Sequence, residues 1–274
     1  MHGTRIPDAE RPVMKVLKSF AAAFSTYSRI PMPPVSLDAE DMRYCMVFFP
    51  FIVAVIGLLE YLWWLVAGKL WLPSIAFALL AAFIPMAVTG GIHLDGFVDS
   101  MDALNSFGGT EKRLEILKDP HVGAFGVIKL VQYMILYIFL VILFSHFGGR
   151  LVPVFGFTFI LSRILSGLGV TYFPGAKKEG MVASQQKMND AKIVGSALII
   201  EFAVCACLMA LIMHAAGLIV AGASLLCFAW YRYRAVKDFG GVTGDTAGCF
   251  LCMTELAQVL VLAIIAGAAH LAAL

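Results

Sequence analysis

Charge is what this sequence has least of. Asp, Glu, Lys and Arg make up 14% of the 274 residues against 61% hydrophobic ones, and the mean hydropathy is +0.88, outside the range of an ordinary soluble domain. The formal net charge of +2 is spread without any basic run, which excludes a polyanion-binding role and with it a nucleic-acid partner. Cysteine is sparse too. The six (Cys45, Cys205, Cys207, Cys227, Cys249, Cys252) lie mostly inside apolar stretches and lack the two C-x-x-C pairs of a zinc site, so they are expected to be small buried hydrophobes without a disulfide role. No short apolar core with a small-residue cleavage site opens the chain, so the first spanning segment is expected to direct insertion itself. Ten-residue alternating segments are absent, which excludes a barrel, and so is an internal repeat of the kind many transporters carry.

Long apolar runs are what remains. Seven are about long enough to cross roughly 30 Å of hydrocarbon: 46–68, 70–90, 123–147, 151–172, 193–213, 215–231 and 249–273. With the N-terminus on the cytoplasmic side, sixteen Lys and Arg fall on that side and only Lys69 and Arg150 on the other, so the C-terminus is expected outside. Residues 13–30 bring Val13, Leu17, Phe20, Phe24 and Tyr27 onto one helical side, with Lys15 and Lys18 elsewhere, which predicts an interfacial helix ended by the prolines at 31–34. The fold class expected is an all-α integral membrane protein. It is a polytopic bundle of about seven transmembrane helices, with residues 1–45 as a cytoplasmic segment carrying the interfacial helix and 46–274 as one transmembrane domain.

The polar chemistry sits in the cytoplasmic connections. Asp95, Asp99 and Asp102 are spaced i, i+4, i+7 and share a sector of roughly 60° on a helix. Their repulsion at a partly dehydrated interface is relieved by protonation, by basic partners or by a divalent cation. Mg²⁺ suits hard oxygen ligands with open positions, as in phosphoryl transfer. A solvated helix start, where aspartate is favoured by the dipole, is the plainer alternative. Gly90 and Gly91 precede the cluster and allow a sharp bend or a close ligand.

Two further stretches could serve anions. In LKDPHVGAFG, 117–126, Lys118 could neutralise a phosphate and Gly123 and Gly126 could open backbone amides, although loop-to-helix punctuation explains it equally well. KDFGGVTGDTAG, 237–248, has the composition of a phosphate-cradling loop without the Walker ending, and offers Gly240, Gly241, Thr243, Gly244 and Asp245. His93 and His121 could donate to phosphate or shuttle protons. Among ionisable residues inside the spans, Lys129 and Arg163 could face an anionic substrate, Glu255 should lie near the aspartates, and Glu60 and Glu201 are expected in internal ion pairs such as Arg163 with Glu201.

These residues together resemble the cobalamin synthase family, the adenosylcobinamide-GDP ribazoletransferases. The family pattern G-G-x-H-x-D-G-x-x-D-x-x-D-G here reads GGIHLDGFVDSMDA from Gly90, followed by LEILKDPHVGAFG and, near the end, VKDFGGVTGDTAG. SRIPMP at 28–33, FFPFI at 48–52 and SR at 162–163 add smaller similarities, so the resemblance runs in order along nearly the whole chain. Three positions depart from it: Ala103 where Gly is common, Asp238 where a basic residue is expected, and Cys252 where Glu is frequent.

The resemblance implies transfer of the adenosylcobinamide-phosphate moiety of adenosylcobinamide-GDP to α-ribazole or its 5′-phosphate, with release of GMP and with Mg²⁺ as cofactor. On it, Asp95 and Asp99 are expected as principal metal ligands, Asp102 as a third ligand or base, and Asp245 as the ligand from the last loop. His93 joins the catalytic group. Lys118, Asp119, Lys129, Arg163, Gly240, Gly241, Thr243 and Gly244 are expected around the substrates. The implied location is a bacterial cytoplasmic membrane with the site on its inner face, the bilayer as a partner, and self-association left open. A membrane CDP-alcohol phosphotransferase is the nearest rival, but its D-x-x-D-G-x-x-A-R signature and aspartate ending are missing. A cation or solute transporter, the rival from another class, should carry its acids near the midplane.

Overall fold

The computed structural model describes residues 12–34, 36–38 and 40–274, with backbone only for Pro12 and Val13. Arg5 and Arg11 of the charge count, and the Val13 side chain expected on the apolar face of the first helix, lie outside the described residues. Those residues form eleven α-helices: α1 Pro12–Tyr27, α2 Cys45–Lys69, α3 Ser74–Thr89, α4 Ile92–Asn105, α5 Thr110–Ile116, α6 Ala124–Phe147, α7 Val152–Tyr172, α8 Met181–Met188, α9 Ala191–Met213, α10 Ala215–Phe239 and α11 Gly244–Leu271.

Six helices are long and apolar enough to cross a membrane (α2, α6, α7, α9, α10 and α11), and a seventh crossing arises if α3 and α4, bent by 97°, count as one span. At about 1.5 Å per residue the sixteen residues of α3 rise ~24 Å, short of a ~30 Å core, so the chain turns aside at the membrane edge. Two spans differ from the apolar runs that foretold them. α11 starts at Gly244 because Thr243 and Thr246 form a capping box, with Thr246 N donating to Thr243 Oγ1 at 3.1 Å, so its polar first turn falls outside any hydrophobic window. α10 runs on to Phe239, and Arg234 pairs with Asp238 one turn later along its polar end.

The layering follows burial. The apolar stretch of α7 is 83% buried and that of α11 61%, against 17% for α9, so α7 and α11 form the centre and α9 turns its apolar surface outward. α2 crosses α7 where Gly57 meets Gly156, and a Cβ on Gly57 would stand 2.8 Å from the Gly156 carbonyl oxygen. Only small residues allow two backbones that close, which is the usual basis of helix packing in membranes.

α1 packs on the bundle. It buries Ala22, Ala23, Phe24 and Tyr27 against α2, with the Tyr27 and Phe49 rings 4.7 Å apart, and leaves Leu17 exposed. All six cysteines are free, and Cys249 and Cys252, in C-x-x-C spacing on α11, are buried without forming a metal group among the described residues. One end of the bundle gathers α1, α4, α5, α8 and the 240–243 turn. Arg43 pairs with Asp190 there at 2.9 Å, and Gln185 Nε2 donates to the Met42 carbonyl at 2.9 Å.

Candidate active site

The site is built where α4 crosses the end of α11. Gly90 and Gly91 adopt φ of 69° and 81°, left-handed values open to glycine, and produce the turn from α3 into α4. Arg29 N donates to Val88 O at 2.8 Å, so the SRIP stretch braces that turn. Gly96 then lets α4 touch α11: a Cβ there would lie 2.9 Å from both Cα and O of Asp245. Gly248 repeats the device from the other side, where a Cβ would stand 3.0 Å from the His93 carbonyl oxygen.

This contact brings Asp95 and Asp99 of α4 to Asp245 of α11, close enough for the charges to act on one another. None of the three forms an ion pair among the described residues. Desolvation, and then the charges of Asp95, Asp245 and Asp102, push the Asp99 carboxyl up to about 6. Asp102 faces elsewhere. It accepts a hydrogen bond from Gly126 N at 3.1 Å in the first turn of α6, and Gly123 packs against its carboxylate. It therefore satisfies amides that the helix start leaves open.

Among the described residues no three His, Cys, Asp or Glu side chains converge enough to hold a metal ion by themselves. Mg²⁺ asks for less, since it keeps waters and takes one or two carboxylates together with substrate phosphates. A set of hard oxygens without ion-pair partners among the described residues, one with its carboxyl raised by burial and by the charges of the others, is chemically suited to such an ion.

Beside the carboxylates opens a cavity of about 360 Å³ between α4, α7, α8 and α11, with Asp95, Asp245, Thr243, Gly244 and His93 in its wall. Apolar side chains such as Met46, Phe49, Val170 and Leu251 make up much of the rest. His93 also borders a second, internal space of about 40 Å³ with Tyr133, Tyr137, Arg163 and Glu255. Burial and the Arg163 charge hold His93 well below the usual histidine range, so it is neutral there. His93 Nε2, Tyr137 Oη and Arg163 Nε are buried without a protein partner, and a space of this size with such groups suits an ordered water.

Several residues expected around substrate stand elsewhere. Arg163 is 1% exposed and paired with Glu255, with Ser162 Oγ accepting from its Nη1 at 2.9 Å; with His93 it borders the small space rather than the large cavity. Its partner is thus Glu255 and not Glu201, because Arg163 faces Tyr133 and Tyr137 of α6 and Cys252 and Glu255 of α11 instead of α9. Glu60 is wholly buried, and neither carboxyl oxygen has a hydrogen-bond partner. Lys129 donates to Gln132 one turn along α6 at 3.1 Å, away from the cavity. Lys118 is exposed beyond α5, and Asp119 beside it binds His121 at 2.7 Å, which lowers the Asp119 carboxyl below its usual value.

Gly240 ends α10 in the left-handed region at φ 73°, and Gly241 packs on the backbone of Pro174–Ala176, so neither borders the cavity. Asp238 is buried between Arg113 of α5, at 2.9 Å, and Arg234. That explains an acid where a cation was expected: it ties α5 to α10. The connection from α7 to α8 supplies wall residues that sequence reasoning passed over, including Lys177 and Glu179. Their only signal was the cluster of four basic residues in 173–192, which had been counted toward orientation alone.

Fold and site together define a multispanning helical membrane protein with a carboxylate-lined cavity at one end of its bundle. The chain belongs to the cobalamin-5-phosphate synthase family, whose model matches residues 19–263. It is 39% identical over 254 residues to an adenosylcobinamide-GDP ribazoletransferase of Lachnoclostridium phytofermentans, covering 93% of this chain and 96% of that protein. Enzymes of the same name from Desulfitobacterium hafniense and Clostridium perfringens are 31% and 32% identical, covering 89% and 92% of this chain and 95% and 100% of their own. No solved structure matches the chain.

Proposed function

We propose that this protein transfers the adenosylcobinamide-phosphate moiety of adenosylcobinamide-GDP to the ribose hydroxyl of α-ribazole or its 5′-phosphate, releasing GMP, in the closing steps of cobalamin biosynthesis. The observation that carries the mechanism is the meeting of Asp95 and Asp99 with Asp245, of which Asp95 and Asp245 line an amphipathic cavity. The hydroxyl oxygen bonds to the phosphorus next to cobinamide and gives its proton to water or to the departing GMP phosphate, while the bond to the GMP oxygen breaks, so negative charge gathers on oxygens at that point. Asp95, Asp99 and Asp245 would hold Mg²⁺, which when bound supplies charge stabilisation for those oxygens. Gly244, at the positive end of α11, offers its backbone amide to a phosphate, while the Thr243 amide is donated to Thr246 Oγ1 at 2.8 Å. The apolar cavity wall gives the bulky organic parts of the substrates a surface and limits water at the reacting phosphorus. Asp102 fixes α6 to α4, and the Arg163–Glu255 pair lines the small space beside His93.

The protein resides in a bacterial cytoplasmic membrane with this end of the bundle inside, as the distribution of Lys and Arg supports. Purified protein given both substrates should release GMP with Mg²⁺ and stop with EDTA. Undiminished release in EDTA would remove the metal from the proposal, and no release with Mg²⁺ would remove the reaction.

A further inference from the structure

We propose that Lys177 grips a phosphoryl group of the substrates, a specificity role that rests on the transfer reaction above. Lys177 is the one Lys or Arg side chain in the wall of the large cavity among the described residues, where it joins Asp95, Asp245 and Glu179. A substrate bearing two anionic phosphates would meet three acids there. One fixed cation changes whether that approach is repelled or guided.

The backbone holds this lysine in place. Ala176 N donates to Val242 O at 3.0 Å and Val242 N to Pro174 O at 2.8 Å, a two-bond clamp between the α7–α8 connection and the turn into α11. Gly241 packs so closely on Pro174–Ala176 that a side chain has no room. Lys177 follows the clamp directly, and its charge reaches Asp245 without forming an ion pair with it.

Its ammonium group is also free. Lys15, Lys112, Lys129 and Lys237 each donate to a neighbouring side chain, whereas Lys177 makes no side-chain hydrogen bond or salt bridge among the described residues. The other cations expected near substrate are committed or remote: Arg163 to Glu255, Lys129 to Gln132, and Lys118 on an exposed turn. A half-buried, unpaired ammonium on a rigid loop beside a cavity fits a phosphate oxygen as a point charge. Two sources share that chemistry, the diphosphate of the donor and the 5′-phosphate of the acceptor.

Steady-state kinetics of Lys177→Met and Lys177→Arg with α-ribazole and with its 5′-phosphate test this, with melting temperatures as the folding control. Lys177→Met should raise KM about tenfold to a hundredfold for the substrate that is gripped, and Lys177→Arg should restore most of it. A rise confined to the phosphorylated acceptor assigns the contact to the acceptor, and a rise in donor KM that is the same with both acceptors assigns it to the diphosphate. Unchanged KM values, or a fall in kcat alone, overturn the proposal. A binding arm needs no turnover: inorganic pyrophosphate should raise the melting temperature of the unaltered protein more than that of Lys177→Met. If the unaltered protein fails to turn over, the transfer reaction falls, while equal or absent pyrophosphate shifts would still overturn the role of Lys177.

Discussion

Asp99 carries the strongest consequence at the scale of a single residue. Its carboxyl is pushed up from an ordinary 3.8 to about 6 by burial and by three neighbouring acids. The folded, metal-free protein therefore takes up this proton near pH 6, where the unfolded chain waits until near 3.8, and folding gains stability as the pH falls across that window. Melting temperatures in EDTA should rise from pH 7 to pH 4.5, with a smaller rise in Asp99→Asn; identical slopes would show that Asp99 is not the group responsible. At neutral pH with Mg²⁺, Asp99→Asn should abolish turnover and leave thermal stability nearly unchanged. Glu255 should behave in the opposite sense, since Glu255→Ala strands a buried guanidinium and is expected to cost about 3–5 kcal/mol, read as a lowered denaturation midpoint. The sequence made the aspartates legible through their helical spacing. It could not separate Asp102 from the others, because only the approach of α6 decides which carboxylate meets open amides.

Between elements the controlling feature is how closely α4 and α11 pack. Gly96→Val would drive a side chain into the Asp245 backbone, so the helices must part and Asp245 must leave Asp95 and Asp99. Turnover should fall by far more than stability, measured side by side. Gly57→Leu tests a packing contact far from the carboxylates and should show the reverse pattern, about 1–3 kcal/mol of lost stability with kcat retained in the folded fraction. Spans were legible wherever apolar length decided them, as in α2, α6 and α9. The start of α11 was not, because a capping box and not hydrophobicity sets it. Nor was the destination of Arg163, since α7 packs on both α9 and α11 and either offers it a glutamate.

For the whole molecule, the division of charge between two ends of the bundle is the organising fact. The apolar runs and the Lys and Arg count made that division legible without coordinates. The cavity was hidden, because its wall joins α1, α2, α4, α7, α8 and α11 across the chain. If the acidic end is cytoplasmic, Trp71→Cys should react with a membrane-impermeant thiol reagent on intact spheroplasts and Ser184→Cys only after lysis. The reverse pattern would invert the topology.

Most directly, Mn²⁺ binding to the detergent-solubilised protein can be followed by electron paramagnetic resonance in the unaltered chain and in Asp95→Asn, Asp99→Asn, Asp245→Asn and Asp238→Asn. Binding should weaken in the first three variants and persist in Asp238→Asn, whose carboxylate belongs to Arg113 and Arg234. Full affinity in Asp245→Asn would contradict a centre shared between α4 and α11.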